Sequence, residues 1–204
     1  YDANRYMLLA LLEKIGVIPT DLGILPDRFE VIKSALELAS KNYDLLLTSG
    51  GVSTGDEDHV RTSVKALGHL HFWRLAIKPG RPLAMGQINT VPFIGLPGNP
   101  VAAMICFLRF ARPLIFGLMG AEYIEPQLYD ISAGFELKKK GGRREWLRVK
   151  LSVGPGGKTL AIPFERDGSG IINSLTNSDG LVEINEEITT IHKGDIVKFL
   201  PFNE

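Results

Sequence analysis

Three short segments of the sequence combine residue types that could bind an anionic ligand. They are SGGVSTG over 49–55, KPGRP over 78–82 and PGNP over 97–100. Glycine lets the backbone approach a ligand closely, while hydroxyl, lysine and arginine side chains donate hydrogen bonds to anionic oxygens. Each segment alone is also explained as an ordinary turn. Because all three are predicted to follow strands of one sheet, together they favour a ligand-binding site.

The first segment lacks the spacing of a nucleoside triphosphate-binding loop, GxxxxGK[ST], and does not indicate a triphosphatase. Its glycines and hydroxyls are suited to hold an anion or the polar edge of a heterocycle. The candidate binding residues in it are Ser49, Gly50, Gly51, Ser53 and Gly55.

The second segment supplies two cations, Lys78 and Arg81, in a chain restricted by proline and glycine. Two fixed positive groups suit an oxyanion such as phosphate or a metal oxyanion, although a solvated surface turn is an equal alternative. The third segment adds Pro97, Gly98 and Asn99 as candidate binding residues.

Carboxylates lie directly beside the first segment. Asp56, Glu57 and Asp58 follow one another, and one or two of them are explained by stabilisation of a helix N-terminus. A third carboxylate, with Asp27 near the end of another predicted strand, fits a divalent cation bound through oxygen ligands. Asp27, Asp56 and Asp58 are therefore the predicted metal ligands, and the metal would let carboxylates and an anionic ligand share a pocket.

The elements that must position these residues alternate between helices and strands. This alternation predicts an α/β fold over residues 1–122, with a mostly parallel, doubly wound sheet. The predicted helices span 2–15, 26–41, 56–67 and 101–120, and the predicted strands span 17–25, 43–49, 69–77 and 91–96.

Beyond that domain the texture changes to short strands separated by glycine-rich turns. This pattern predicts a small all-β, barrel-like domain over 123–204. The predicted strands are 128–137, 145–153, 158–164, 181–184 and 195–202.

The composition narrows the classes of partner and location. Lysine plus arginine equals aspartate plus glutamate at 23 each, so the chain as a whole has no electrostatic footprint for nucleic acid or an anionic membrane. The apolar stretch 101–120 contains Arg109, Arg112 and Pro113, which favours a buried core helix over a membrane span. The single cysteine, Cys106, forms no internal disulfide, and a cytoplasmic setting is expected.

Taken together, the motifs resemble one known family, the molybdopterin molybdenumtransferases of the MoeA and gephyrin E-domain group. The resemblance covers essentially all 204 residues, and its specificity comes from the combination of motifs, since no single one is sufficient. They are YDANRYML, LPDRFEVIKSAL, DLLLTSGGVSTGDEDHV, AIKPGRPLAMG, IGLPGNPVAA, GGRREWLRV, GSGIINSLTNSDGLVEI and HKGDIVKFL.

The resemblance implies that molybdenum passes from molybdate into adenylylated molybdopterin with release of AMP, assisted by Mg²⁺. It implies catalytic roles for Asp27, Asp58 and Lys78, and substrate contacts for Arg143 and Ser169. It also implies a homodimer and the adenylyltransferase of the same pathway as a possible partner. A molybdopterin adenylyltransferase-like enzyme and a non-catalytic binding or scaffold module are the alternatives.

The sequence departs from the family pattern at two places and also in its extent. Ser178 and Asp179 occupy the place of a common Ala-Asn pair. Arg81 stands where many members carry lysine, so a planar guanidinium replaces a compact ammonium. The family's two amino-terminal domains and the first strand of the α/β domain have no counterpart in the sequence. We therefore expect this chain to be part of a longer protein, able to bind without catalysing by itself.

Overall fold

The computed structural model describes residues 2–51, 58–72, 74–122, 125–164, 170 and 172–202, with the side chain of residue 72 left aside. The chain forms two compact units. The first unit comprises Tyr1–Leu75 and Gly80–Tyr123, and the second comprises Ala76–Pro79 and Ile124–Glu204. The segment Ala76–Pro79, which contains Lys78, thus belongs with the second unit.

The helices and strands are numbered in chain order. The helices are α1 (Ala3–Lys14), α2 (Phe29–Ala39), α3 (His59–Leu67), α4 (Pro100–Cys106), α5 (Arg112–Leu118) and α6 (Asn173–Thr176). The strands are β1 (Leu46–Ser49), β2 (Gly68–Phe72), β3 (Ile77–Lys78), β4 (Ala84–Ile88), β5 (Val91–Leu96), β6 (Tyr129–Ala133), β7 (Leu137–Lys138), β8 (Arg144–Val153), β9 (Thr159–Pro163), β10 (Gly180–Ile184), β11 (Thr190–Ile191) and β12 (Ile196–Pro201).

The first unit contains a four-stranded sheet in the order β1-β5-β4-β2. The predicted α/β architecture is confirmed, but the sheet is mixed, since β1 and β5 are parallel while β4 is antiparallel to both β5 and β2. The sequence reading overlooked β4. Only two residues separate Ile88 from Val91, and so short a connection joins antiparallel strands. Asn89, with φ of 51°, makes that turn.

The predicted strand over 17–25 is wrong. The structure has no strand or helix over 17–26, and Ile18 and Ile24 are exposed there. Pro19 cannot donate to a strand ladder and Gly23 has φ of 78°, so the apolar pattern does not become a paired strand. The core instead comes from α2, α3 and the sheet, with Val64, Ala84, Ile88 and Phe93 fully buried among its members.

One helix of the described residues, Pro100–Leu118, is long and apolar enough to cross a membrane by length and composition alone. Val101, Ile105 and Phe107 are fully buried, which supports the prediction of a core helix. Pro113 lacks the N–H that would bond four residues back, and this coincides with a π-helical turn at Phe107–Ala111.

Cys106 lies on the buried side of the same helix, with Sγ 3.8 Å from the Gly80 carbonyl oxygen. Burial raises the pKa of the Cys106 thiol to about 12. Because the thiolate is the reactive form, this cysteine has the character of a packing residue.

The second unit confirms the predicted all-β, barrel-like fold. Strands β10, β12, β6, β9 and β8 pair in that order, and β8 pairs back to β10, which closes a five-stranded barrel. Strand β3 adds to β8 in parallel, with Lys78 opposite Glu145. The barrel interior is filled by apolar side chains that include Val149, Ala161 and Val182.

Candidate functional site

In the first unit, two of the three predicted segments meet. Strands β1 and β5 are parallel neighbours with Ser49 opposite Leu96, so their carboxyl ends lie at the same edge of the sheet. The Gly50 amide donates to the Leu96 carbonyl oxygen at 3.0 Å. A Cβ atom added to Gly98 would lie 3.6 Å from the Gly50 Cα atom. We call residues 49–51 and 97–99 the paired loops.

A side chain that the sequence reading did not identify joins the paired loops. The Asn4 Nδ2 group donates to Ser49 Oγ and to the Gly98 carbonyl oxygen, each at 2.8 Å. Asn4 lies in the first turn of α1 and is 5% exposed. Asp2 already caps this helix by accepting from the Arg5 amide. A polar residue four positions before the buried Leu8 was the available sequence signal, since both lie on the buried face.

The other predicted residues of the paired loops have distinct environments. A Cβ atom at Gly51 would lie 2.6 Å from Val60 Cγ2, and its φ of 68° also favours glycine. Pro97 is buried, whereas Gly98 and Asn99 are exposed. Ser53, Gly55 and Asp56 lie outside the described residues.

Asp58 is the N-cap residue of α3. Its Oδ1 atom accepts from the Arg61 amide at 2.8 Å, and its carbonyl oxygen accepts from the Thr62 amide. Asp58 is 8% exposed. The structural alternative, stabilisation of a helix start, therefore applies to this carboxylate.

The predicted metal ligands do not form a metal site in the part of the chain that the structure describes. Asp27 is exposed and immediately precedes the N-cap residue of α2, so it does not follow a strand as predicted. No group of three or more aspartate, glutamate, histidine or cysteine side chains that could hold a metal ion occurs among the described residues. Asp56 lies outside them.

Replacing Asp58 by alanine is expected to lower the free energy of unfolding by about 1 kcal/mol, because the Arg61 amide loses its capping acceptor. Asp58→Asn is expected to preserve stability within roughly 0.5 kcal/mol, because asparagine caps helices as well as aspartate. Urea denaturation of both variants checks this. Equal loss in the two variants would show that the carboxylate charge, rather than the cap, stabilises the native state.

In the second unit, two predicted site residues meet at a buried carboxylate. Lys78 Nζ lies 3.9 Å from Glu145 Oε2, and Arg143 Nε lies 2.6 Å from Glu145 Oε1. Glu145 is 2% exposed, while the lysine and arginine side chains are each 41% exposed. We call Lys78 and Arg143 the cation pair and Glu145 its anchor. The cluster thus joins two positively charged side chains to one carboxylate.

Each member of this cluster is positioned by β8 or its neighbours. Lys78 is held by the pairing of β3 with β8, and Arg143 directly precedes β8. The Arg143 carbonyl oxygen also accepts from Lys139 Nζ at 2.6 Å. The residue types of the KPGRP segment placed Lys78 and Arg81 outside regular structure; for Lys78 this is wrong, because it forms strand β3 together with Ile77.

The opposite face of β8 carries a separate polar network. Glu183, which is 8% exposed, accepts from Trp146 Nε1 at 2.8 Å and from Arg144 Nη1 at 3.1 Å. Arg144 also donates to Glu186, and hydrogen bonds from the Glu186 backbone amide and from Arg144 lower the pKa of Glu186. Side chains alternate along a strand, which separates this network from Glu145.

The two remaining predicted binding residues of these segments are Arg81 and Ser169. Arg81 belongs to the first unit, where its side chain is exposed and its carbonyl oxygen accepts from the Leu75 amide at 3.1 Å. Ser169 lies outside the described residues.

The fold and these sites define a molybdopterin-type α/β domain followed by a β-barrel domain. Residues 1–117 match the family described as a probable molybdopterin binding domain, and residues 131–202 match the MoeA C-terminal region, domain IV. The chain therefore belongs to the molybdopterin binding domain family.

Curated relatives and solved structures support the same assignment. A molybdopterin molybdenumtransferase of Haemophilus influenzae is 34% identical over 100% of this chain and 50% of its own length. A molybdopterin molybdenumtransferase of Nostoc is 31% identical over 98% of this chain and 48% of its own length. The crystal structure of the molybdopterin biosynthesis MoeA protein from Pyrococcus horikosii superposes with a TM-score of 0.82 at 29% identity, over 100% of this chain and 49% of that one. The chain thus spans about half the length of the curated relatives it matches.

Proposed function

We propose that the protein containing this chain inserts molybdenum from molybdate into adenylylated molybdopterin and releases AMP. The observation that carries the proposal is the pair of cations, Lys78 and Arg143, held on the buried Glu145 carboxylate. Two half-exposed cations at a fixed spacing suit a tetrahedral oxyanion such as molybdate. The names of the relatives, and the match to the MoeA C-terminal region, support the same substrate class.

The paired loops supply a second set of groups suited to the proposed substrates. Ser49 offers a hydroxyl, and glycines at 50, 51 and 98 let a ligand approach the backbone. The Gly50 amide is bonded to Leu96, so the hydroxyl and the remaining loop atoms are the available contacts. We assign these groups to the adenylylated pterin, and Lys78 and Arg143 to the incoming oxyanion, whose charge they offset.

Magnesium, a homodimer, a cytoplasmic location and delivery by the pathway's adenylyltransferase belong to the same proposal, on the strength of the family resemblance. Magnesium would offset phosphate charge, with Asp27, Asp56 and Asp58 as its proposed ligands. Because Asp58 Oδ1 already accepts from the Arg61 amide and the described residues provide no three-ligand group, we derive no step through the metal.

The proposal is tested by AMP release from adenylylated molybdopterin, measured chromatographically on the whole protein with and without molybdate. We expect release that depends on molybdate and saturates with it. An adenylyltransferase would instead consume ATP and molybdopterin without needing molybdate, and a scaffold would bind the pterin without turnover. Either of those results contradicts the proposal.

A further inference from the structure

The direction of the hydrogen bonds at Asn4 is determined by one of its partners. The Gly98 carbonyl oxygen can only accept, so the Asn4 group 2.8 Å from it must be the Nδ2 donor. The same nitrogen lies 2.8 Å from Ser49 Oγ. The Asn4 amide group therefore donates one hydrogen to each of the paired loops, and Ser49 Oγ accepts the hydrogen bond from Asn4.

This arrangement constrains the hydrogen of the Ser49 hydroxyl. A serine hydroxyl has one hydrogen, which rotates to suit its surroundings. With one lone pair of Ser49 Oγ already engaged by Asn4, the hydrogen must point away from that nitrogen. Among the described residues, no acceptor is bonded to it. The Ser49 hydroxyl, which is partly exposed at the carboxyl end of β1, can thus donate its hydrogen to a ligand.

Burial holds the Asn4 side chain in place, so that it can fix the orientation of the Ser49 hydroxyl. Asn4 is 5% exposed, and its Oδ1 atom has no hydrogen-bond partner within the described residues. A buried amide with both hydrogens bonded to loops that are 45 and 94 residues away in sequence connects α1 to both loops at once. Such a group does more than cap its own helix, since Asp2 has that role.

We infer that Asn4 is a positioning residue that orients the Ser49 hydroxyl to donate to an anionic group, such as a phosphate oxygen, bound at the paired loops. This inference rests on the proposed function. Asn4 acts through Ser49 and does not itself contact the anion.

The test is a double-mutant cycle, with AMP, the proposed product, as the probe and its affinity measured by calorimetry on the whole protein. Ser49→Ala is expected to weaken AMP binding roughly tenfold, because its hydrogen bond to a charged group is lost. Asn4→Ala is expected to weaken AMP binding by up to the same factor, because the Ser49 hydroxyl loses the donor that orients it. The double variant should bind AMP no more weakly than Ser49→Ala alone, because Asn4 has nothing left to orient.

Asn89→Ala is the matched control. Asn89 Nδ2 donates to Ser40 Oγ at 2.8 Å, the same pair of groups, in the same unit but beside the opposite end of β5. Asn89 also has φ of 51°, so this variant should lose at least as much stability as Asn4→Ala. It should nevertheless retain its AMP affinity, which separates orientation of Ser49 from general destabilisation.

Two results would overturn the inference. Additive losses in the cycle would show that Asn4 acts independently of Ser49, and absence of AMP binding by the unaltered protein would remove the anion that Ser49 is inferred to contact. Neither result decides the proposed function, which is tested separately by molybdate-dependent AMP release.

Discussion

Replacing Lys78 by methionine is expected to lower kcat/KM for molybdate by roughly 10- to 100-fold, which corresponds to about 1.4–2.7 kcal/mol. Methionine keeps an unbranched stem of similar length and removes the ammonium group. Glu145 would still be paired with Arg143 at 2.6 Å, so the substitution does not leave the buried carboxylate without a cation. The loss should therefore appear in activity and not in folding.

The measurement is the molybdate dependence of AMP release by the whole protein, together with its thermal unfolding. If Lys78 binds the oxyanion before reaction, the variant should need more molybdate for half-maximal rate while release at saturation changes less. Arg143→Met should show the same pattern, because its guanidinium contacts the other oxygen of the same carboxylate.

Lys198→Met provides a matched control in the same unit. Lys198 Nζ lies 2.6 Å from Asp130 Oδ1, but both side chains are more than half exposed and neither is part of the cation pair. This variant should keep its molybdate dependence. Equal behaviour of Lys78→Met and the unaltered protein would show that Lys78 has only a surface role.

Much of this fold was predictable because its signals are local. The amphipathic pattern gave α1 and α2 to within a few residues, and apolar runs bounded by glycine and proline gave β1 and β5. Strands of the second unit followed from short alternating runs between glycine-rich turns. The apolar run over 17–25, which Pro19 and Gly23 interrupt, also predicted a strand, but no strand forms there.

The site was less predictable because its decisive contacts join distant residues. Lys78 and Arg143 carry an obvious charge, but nothing local indicates that Glu145 is buried between them, since that depends on β3 pairing with β8. Asn4 resembled a helix-start residue, and its bonds to Ser49 and Gly98 follow only from the packing of α1 on the sheet. Residue type suggested the chemistry, and tertiary pairing selected the partners.

The second large effect is expected from Glu183→Ala, which should lower the free energy of unfolding by about 2–4 kcal/mol. Trp146 is 4% exposed, and its Nε1 group loses the carboxylate that accepts from it at 2.8 Å. Arg144 loses its ion pair with the same carboxylate; because its side chain is 34% exposed, we give this contribution the smaller share. The measurement is urea denaturation followed by tryptophan fluorescence.

Glu186→Ala is the control that separates burial from charge. Glu186 pairs with the same arginine at 3.2 Å, but its side chain is 45% exposed. Its removal should lower stability by less than about 1 kcal/mol, as expected of a solvated pair. Because β10 closes the barrel between β8 and β12, the larger loss at Glu183 should affect the whole second unit. Equal losses in the two variants would show that charge near Arg144, and not the buried bond to Trp146, stabilises this closure.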